Sequence, residues 1–395
     1  MTASLLAART EQIQLPIFRE IAALAQKHKA INLAGGTPDF PAPMAVKQAA
    51  VAAIEADQNQ YALSHGVKEL REGIAVKVQK QNKVTFDPET EITVCCGSTE
   101  AMTAALLAVV NPGDEVIVLE PAFTIYAPGI ILSGGRPVPV KLEAPEFQID
   151  AERLEAAVSP RTKAVIFNCP HNPTGRVFTG KELAVIADLC LKYNLVALTD
   201  EIYDEIVFDG LNPARLWTLP GMRERTIIIN GLSKTYSITG WRLGYVIASP
   251  VFTKAIKTTH NYLSLSAPAP LQAAAVTAVN LPQDYYEQLR RLYQERRDLL
   301  LAGLNELGFT CLRPQGSYFI IGRFEQFGWK DDLAFARYLV ETIGVAAVPV
   351  SGFFTQPEPA DRSFLRFAFC KQAETLASAL ERLQQLKTAN HRKEG

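Results

Sequence analysis

The sequence predicts an α/β fold, in which a mostly parallel sheet flanked by helices forms a large domain and a smaller α+β domain follows. Two observations carry this prediction. From about residue 44 to 282, segments with helical periodicity alternate with short apolar runs typical of buried strands. From about residue 283, a long charge-rich helical stretch precedes two further strand candidates. The 395 residues suffice for both domains.

The predicted large domain is an ordered series of helices and strands. In chain order, these are the helices MAVKQAAVAAIEAD and VKELREGIAVKVQKQN, the strand EITVCCG, the helix STEAMTAALLAVV, the strands DEVIVLE and TKAVIFN, the helix KELAVIADLCLKYN, and the strands LVALTDEIY, RTIIIN and WRLGYVIAS. Ligands of open α/β sheets bind beyond the carboxyl ends of the strands. The residues that follow each strand are therefore the candidates for a functional site.

The predicted domain boundaries follow from the change of pattern. Residues 1–43 are an N-terminal arm and small-domain segment, 44–282 the large domain, and 283–395 the small C-terminal domain. The small domain contains the helix YEQLRRLYQERRDLLLAGLNELG and the strands SYFIIGRF and SFLRFAF. The stretch INLAGGTPDFPAP, rich in glycine and proline, is expected to bridge the arm and the two domains.

The composition argues against several classes of protein. With 40 basic and 41 acidic side chains, the chain has no charge excess that would favour nucleic acid or an anionic membrane. No apolar run approaches the roughly 18 residues of a membrane helix, and the N-terminus lacks the pattern of a signal peptide. The six cysteines form no C-x-x-C pair, so we expect no metal site. We expect a cytoplasmic protein that binds neither nucleic acid nor membrane.

Small, hydroxyl and aromatic residues follow the first two strands. Gly97, Ser98 and Thr99 come between EITVCC and a helix, where backbone N–H groups and hydroxyls can bind an anion. An ordinary helix cap explains the same residues, and these residues taken alone favour it. Phe123 follows DEVIVLE and is either a core aromatic or a platform for a planar ligand.

Amide, carboxylate and phenol side chains follow the next two strands. Asn172 lies between a histidine and a proline in the stiff loop CPHNPTG, which is also explained as a structural turn. Asp200 ends LVALTD, and Tyr203 follows it. A surface position would explain the acid, but a buried carboxylate needs a cation.

A lysine in an unusual setting follows RTIIIN. Lys234 comes directly after Ser233, and Arg242 follows eight residues later in SKTYSITGWRLGY. A lone lysine in a loop is usually solvated. A lysine beside a sheet end can serve as a nucleophile when its pKa is lowered, and the neighbouring serine and arginine suit a phosphate.

Together these residues fit pyridoxal 5'-phosphate (PLP), a planar aldehyde with a ring nitrogen, a phenolic oxygen and a phosphate. Lys234 would bind the aldehyde as an imine (Schiff base), and Asp200 would pair with the ring nitrogen. Asn172 and Tyr203 would hydrogen-bond the phenolic oxygen, and Phe123 would stack on the ring. The predicted catalytic residues are Lys234, Asp200 and Tyr203.

The phosphate of this cofactor would be bound by hydroxyls, backbone N–H groups and a guanidinium. The residues predicted to contact it are Gly97, Ser98, Thr99, Ser233 and Arg242.

The ordered motifs NPTG, D-E-x-Y and S-K-x-x-x-x-x-G-W-R-x-G-Y resemble those of the class I aminotransferases of the type I PLP fold, and the resemblance covers essentially the whole chain. Within the class, NLAGGTPDFPAP and FLRFAFCK are most similar to the kynurenine aminotransferase, glutamine transaminase K and methionine aminotransferase branch. The resemblance implies that Gly36 lies against the substrate carboxylate, that Arg366 binds it in a bidentate fork and that Asn172 is a further substrate contact. It also implies a homodimer in which Tyr61 reaches the phosphate of the neighbouring subunit.

The function implied is amino-group exchange between an uncharged L-amino acid, such as glutamine, methionine, an aromatic amino acid or kynurenine, and a 2-oxo acid. A dicarboxylate donor would need a second buried cation, and the sequence assigns none. The alternatives are an aspartate-type aminotransferase and a PLP-dependent C–S β-lyase on the same fold. A non-enzymatic regulator would carry a basic DNA-binding segment, which is not found before the first motif.

Overall fold

The computed structural model describes residues 6–390. The strands are, in chain order, β1 (Ile31–Asn32), β2 (Ile92–Cys95), β3 (Glu115–Glu120), β4 (Arg136–Lys141), β5 (Thr162–Asn168), β6 (Val196–Asp200), β7 (Thr226–Gly231), β8 (Gly244–Ile247), β9 (Thr310–Cys311), β10 (Phe319–Arg323), β11 (Val345–Ala346), β12 (Val348–Pro349) and β13 (Phe364–Ala368).

Helices separate most of these strands. They are α1 (Ala8–Glu11), α2 (Ile17–His28), α3 (Met44–Glu55), α4 (Lys68–Asn82), α5 (Ser98–Val109), α6 (Tyr126–Leu132), α7 (Ala151–Ala156), α8 (Gly180–Tyr193), α9 (Pro250–Ser264), α10 (Ala269–Val279), α11 (Gln283–Leu307), α12 (Asp332–Tyr338), α13 (Ala373–Leu383) and α14 (Gln385–Asn390). Among the described residues, no helix combines the length and apolar composition needed to cross a bilayer.

A seven-stranded sheet forms the centre of the molecule, in the order β2-β8-β7-β6-β5-β3-β4. The five strands from β7 to β4 run parallel, and β8 lies antiparallel to both of its neighbours. Parallel strands need crossover connections, which helices supply here. The predicted mostly parallel sheet with flanking helices is confirmed.

Both faces of this sheet are buried. Successive side chains of a strand point to opposite faces, so each strand contributes residues to the core on both sides. On β5, Val165 and Phe167 pack with α8 on one face, whereas Ala164 and Ile166 pack with α5 on the other. The long apolar runs that predicted these strands therefore correspond to strands covered on two sides.

Strand β4 was not predicted from the sequence. Its residues, RPVPVK, include Pro137 and Pro139, and among the described strands β4 pairs with β3 alone. Proline removes a backbone donor and is confined to edge strands. The position at the sheet edge explains both the prolines and the missed prediction.

A smaller antiparallel sheet has the order β12-β13-β10-β9. Helix α2 packs with this part of the chain, burying Ile21 and Ala25 in the same core as Leu365. Strand β1 pairs in parallel with β11, so the N-terminal segment joins the C-terminal part. The smaller α+β unit is confirmed. The domain boundaries stay a prediction, and residues 1–5 and 391–395 lie outside the described residues.

Candidate active site

A cavity of about 440 Å³ opens at the carboxyl ends of the parallel strands. It collects residues from the turns after several strands, from the segment near β1, and from β10 and β13. The predicted site residues that line it are Gly36, Ser98, Thr99, Phe123, Asn172, Asp200, Tyr203, Ser233, Lys234, Arg242 and Arg366. Gly97 lies directly behind this lining, and Tyr61 is not part of it.

Lys234 follows β7 and points its amine at the segment near β1. Its Nζ donates a hydrogen bond to the carbonyl oxygen of Gly36 at 3.1 Å. The Tyr318 hydroxyl donates to the same oxygen at 2.7 Å. Burial lowers the pKa of the Lys234 amine to about 8, because a charged amine loses hydration in the cavity. A larger fraction of the Lys234 amine is therefore neutral, and so nucleophilic, than in a solvated lysine.

Asp200 ends β6 and is buried. Its carboxylate accepts hydrogen bonds from the Tyr126 hydroxyl at 2.7 Å and from the backbone N–H of Ile202 at 3.2 Å. Burial raises the pKa of Asp200, and the two hydrogen bonds oppose that shift. Among the described residues, no lysine or arginine forms an ion pair with it. The carboxylate thus has no ion-pair partner, and a bound ligand could supply the missing cation.

Arg366 lies on β13 with only 4% of its surface exposed. It donates to Asn172 Oδ1 and to the Ala34 carbonyl, each at 2.8 Å, and its buried Nε has no hydrogen-bond partner within residues 6–390. The guanidinium stacks between the rings of Phe319 and Phe353, at 4.1 and 4.9 Å from their centroids. Burial lowers the pKa of Arg366 to about 10. No carboxylate of the described residues forms an ion pair with this buried cation.

Tyr203 and Phe123 provide the aromatic walls. Tyr203 is buried and packs edge-on against Tyr318, with ring centroids 5.1 Å apart. Burial raises the pKa of the Tyr203 phenol, so that it stays a hydrogen-bond donor at neutral pH. Phe123 is half-buried and packs edge-on against Tyr126 at 6.1 Å. Both rings border the space that a planar ligand would occupy.

The N-terminus of α5 faces Arg242. Gly97 precedes the helix with a φ of +85°, and no side chain caps the helix, so the interpretation of these residues as an ordinary cap is wrong. A Cβ on Gly97 would lie 2.5 Å from Nη2 of Arg242. The glycine therefore lets the guanidinium approach the helix end, where N–H groups and a positive charge together favour an anion.

Tyr61 lies outside the cavity, with 83% of its surface exposed. Within one chain it contributes nothing to the site. Its predicted role in a neighbouring subunit stays a prediction.

Sequence reasoning missed several residues of the site. Tyr126, Tyr318, Phe319 and Phe353 contact Asp200, Gly36 and Arg366, as described above. Tyr126 falls in the stretch PAFTIY after β3, where a hydroxyl-bearing aromatic was a weak signal. The other three fall in small-domain segments whose apolar pattern fits an ordinary core.

Comparison with known proteins identifies the family. The family model described as "Aminotransferase class I and II" matches residues 28–383. A probable N-succinyldiaminopimelate aminotransferase of Mycobacterium tuberculosis is 38% identical over 94% of this chain and 96% of its own length. Its solved structure superposes with a TM-score of 0.94, covering 96% of this chain and all of that one.

Two further relatives illustrate the range of the family. The methionine aminotransferase of Escherichia coli is 36% identical over 95% of this chain and 97% of its own length. Its solved structure gives a TM-score of 0.93. An aspartate aminotransferase of Pyrococcus abyssi is 35% identical over 90% of this chain and 91% of its own. These matches confirm the resemblance to class I aminotransferases near the methionine branch. The chain belongs to the class I and II aminotransferase family and is a PLP-dependent aminotransferase.

Proposed function

We propose that this aminotransferase exchanges amino groups between uncharged L-amino acids and 2-oxo acids, with PLP held in the cavity through Lys234. One observation carries the proposal: the half-buried Lys234 and the buried Asp200 and Arg366 line a single cavity, and none of the three forms an ion pair among the described residues. An amino acid and PLP together supply the missing charges and the reactive carbonyl.

The residues of the cavity fit PLP. Asp200 forms no ion pair with the described residues, and a protonated ring nitrogen would supply the missing cation. The Lys234 amine has a lowered pKa, which suits attack on an aldehyde. The first turn of α5 and Arg242 form a cradle for a phosphate, with Gly97 leaving room for the guanidinium. When bound, PLP supplies an electron-withdrawing ring that stabilises negative charge at the substrate Cα.

Each of these side chains then has a defined task. Asp200 would hold a proton on the ring nitrogen, and Tyr126 keeps the carboxylate oriented through its 2.7 Å hydrogen bond. With PLP bound, the Lys234 amine would be the base that takes up and returns the proton of the substrate Cα. Tyr203 and Asn172 would hold the phenolic oxygen by hydrogen bonds.

Arg366 fixes the substrate by its α-carboxylate. Its planar guanidinium presents parallel N–H groups, a geometry that lysine cannot reproduce. The rings of Phe319 and Phe353 hold the guanidinium plane, and Asn172 holds one of its ends. Because the substrate carboxylate is held in one orientation, the Cα–H bond is presented to Lys234.

The remaining lining of the cavity favours an uncharged side chain on the donor. It includes Phe18, Ala22, Asn32 and Thr37, none of which is charged. The cations that line the cavity are Lys234, Arg242 and Arg366, and each already has a task. Arg19 instead lines a separate cavity beneath the N-terminal arm. A β-carboxylate would therefore be desolvated without a partner.

The relatives name two competing donors. One is aspartate, and the other is N-succinyldiaminopimelate, a long donor with distal carboxylates. Both would bring negative charge into the cavity beyond the α-carboxylate.

The test is kcat/KM for methionine, glutamine, phenylalanine, kynurenine, aspartate and N-succinyldiaminopimelate, with Lys234→Ala as the background control. We expect an uncharged donor to exceed both charged ones by at least about tenfold, or about 1.4 kcal/mol of transition-state binding. A tenfold preference for either charged donor would contradict the substrate assignment and leave the assigned cofactor residues standing.

We propose further that the enzyme acts as a homodimer in the cytoplasm. Tyr61, Leu63, Tyr262 and Leu265 are all exposed on one chain. Exposed aromatic and aliphatic side chains of this kind suit a symmetric subunit contact.

A further inference from the structure

A buried histidine lies behind the N-terminus of α5, outside the cavity. His260, on α9, has 0% of its surface exposed. Its Nε2 lies 2.8 Å from the carbonyl oxygen of Ser64. Its Nδ1 lies 3.0 and 3.1 Å from the two carboxylate oxygens of Glu100, with the Ser264 hydroxyl at 3.2 Å.

The Ser64 carbonyl can only accept a hydrogen bond, so Nε2 carries a hydrogen. Nδ1 faces the Glu100 carboxylate, which also accepts the backbone N–H of Cys96 at 2.9 Å. A second hydrogen on Nδ1 would make His260 an imidazolium that pairs with the carboxylate of Glu100.

The position of Glu100 gives this pair its significance. Glu100 is the third residue of α5 and directly follows Thr99, in the turn that faces Arg242. A bare carboxylate in that turn would compete with any other anion for the positive end of the helix. An imidazolium at His260, which does not line the cavity, would neutralise it.

We propose that His260 is a positioning residue for the PLP phosphate, which neutralises Glu100 and fixes the first turn of α5. This inference rests on the proposed function, because it takes the phosphate to bind at that turn. His260 also holds the Ser64 carbonyl, and so joins α5 and α9 to the loop that carries Tyr61.

The alternative occupant of this cluster is a metal ion. Ligand atoms of Cys95, Glu100 and His260 lie within 4.8 Å of one another. A metal would require a bare lone pair on Nδ1, whereas the imidazolium has none. Metal content therefore belongs to the test.

The test compares two cofactors in one variant. PLP is removed from the purified enzyme, and the dissociation constants of PLP and of pyridoxal, which lacks the phosphate, are titrated. For His260→Gln we expect PLP to bind about tenfold more weakly, because the carboxylate of Glu100 is left unneutralised near the phosphate. The affinity for pyridoxal should not change.

His65→Gln is the matched control. His65 also pairs with a glutamate, Glu89, at 3.1 Å, but this pair is near the surface and does not line the cavity. It should leave both affinities as in the wild type. If His260→Gln weakens PLP and pyridoxal equally, His260 acts only through general structure and the inference is overturned.

A second variant separates charge from packing. Adding Glu100→Gln to His260→Gln should recover most of the lost PLP affinity, since the repelling charge is gone. A further loss in the double variant would overturn the inference. Glu100→Gln alone serves if His260→Gln does not fold, and it should bind PLP no more weakly than the wild type. Tenfold weaker binding there would count against the charge argument.

Two outcomes separate this inference from the proposed function. A wild-type protein that does not bind PLP would overturn both. A wild type that binds PLP, together with a His260→Gln variant of equal affinity, would overturn the inference alone. A stoichiometric metal in the wild type that His260→Gln loses would also overturn it.

Discussion

In the part of the chain that the structure describes, the half-buried Lys234 and the buried Asp200 and Arg366 form no ion pairs. Burial lowers the pKa of Lys234 to about 8 and that of Arg366 to about 10, and it raises the pKa of Asp200. All three shifts favour the neutral form, as expected where desolvation exceeds pairing. A ligand with a carboxylate and a ring N–H would give Arg366 and Asp200 ion-pair partners. Part of the binding free energy would then come from offsetting the desolvation of these two side chains.

The lowered pKa of Lys234 predicts how cofactor capture depends on pH. Below pH 8 the amine is protonated and cannot attack an aldehyde, and above it the neutral form dominates. The rate at which the cofactor-free enzyme captures PLP should therefore rise through an apparent pKa of about 8 and then level off. Stopped-flow absorbance between pH 6.5 and 9.5 measures this, with far-UV circular dichroism as a check on folding. A midpoint near 10.5 would show that burial does not shift this lysine.

Asp200→Asn should test charge rather than shape. The amide cannot hold the proton on the ring nitrogen, and we expect kcat to fall by about three powers of ten, or about 4 kcal/mol, with PLP still bound. Glu201→Gln is the control, because this adjacent buried acid binds Arg215 and Trp217 instead of the cavity. A loss below tenfold for Asp200→Asn would place the carboxylate elsewhere than at the ring nitrogen.

Sequence reasoning at this scale depended on position along the chain. Asp200 and Lys234 were found because each lies at or shortly after the end of the apolar run of a predicted strand. The contact between Tyr126 and Asp200 spans 74 positions, and no local pattern reports it. Arg366 was found only through the family resemblance, since all five residues of β13 are buried and an arginine in such a strand has no signature of its own.

The N-terminus of α5 shows how an element is shaped around a ligand. Gly97 has a positive φ, and a Cβ on Gly244 of the neighbouring β8 would lie 2.5 Å from the backbone nitrogen of Ser98. Two glycines therefore allow the helix end, β8 and Arg242 to approach one another closely.

Gly97→Ala should damage the site more than the fold. The new Cβ would displace Arg242 and force an unfavourable φ, so we expect at least tenfold weaker PLP binding and a loss of about 1–3 kcal/mol in unfolding free energy. Gly113→Ala is the control: its φ is +88°, and nothing lies within 4 Å of its Cβ position. Urea unfolding should show a similar loss for both variants, with PLP affinity lowered only in Gly97→Ala. Equal PLP affinities would argue against the role of Arg242.

Prediction of the elements succeeded where one physical signal dominated. The apolar runs of β5, β6 and β7 are buried on both faces, and so they were recognised as strands. Strand β4 was not predicted, because an edge strand tolerates prolines that would disrupt a central strand. The first turn of α5 was open to two interpretations, since serine and threonine favour helix caps as well as anion sites.

At the scale of the whole molecule, the predicted dimer can be tested by mixing variants. If Tyr61 completes the site of its neighbour, a hybrid of Tyr61→Phe and Lys234→Ala chains has one site with both lesions and one with neither. Activity should then partly return after the variants are mixed. Each variant mixed with itself is the control, and subunit exchange is verified by mass-tagged chains. Failure to recover activity after exchange would place Tyr61 outside a shared site.

The antiparallel strand β8 has a consequence for how the protein is made. Its partner β2 lies about 150 positions earlier in the chain, so the central sheet cannot close until residue 247 has been synthesised. The guanidinium of Arg366 arrives more than a hundred residues later still, beside the Ala34 carbonyl near the N-terminus. Contacts of such long range form slowly and leave partly folded chains with exposed strand edges. During synthesis, Lys234 is therefore present for some time before Arg366 is available to bind a substrate carboxylate.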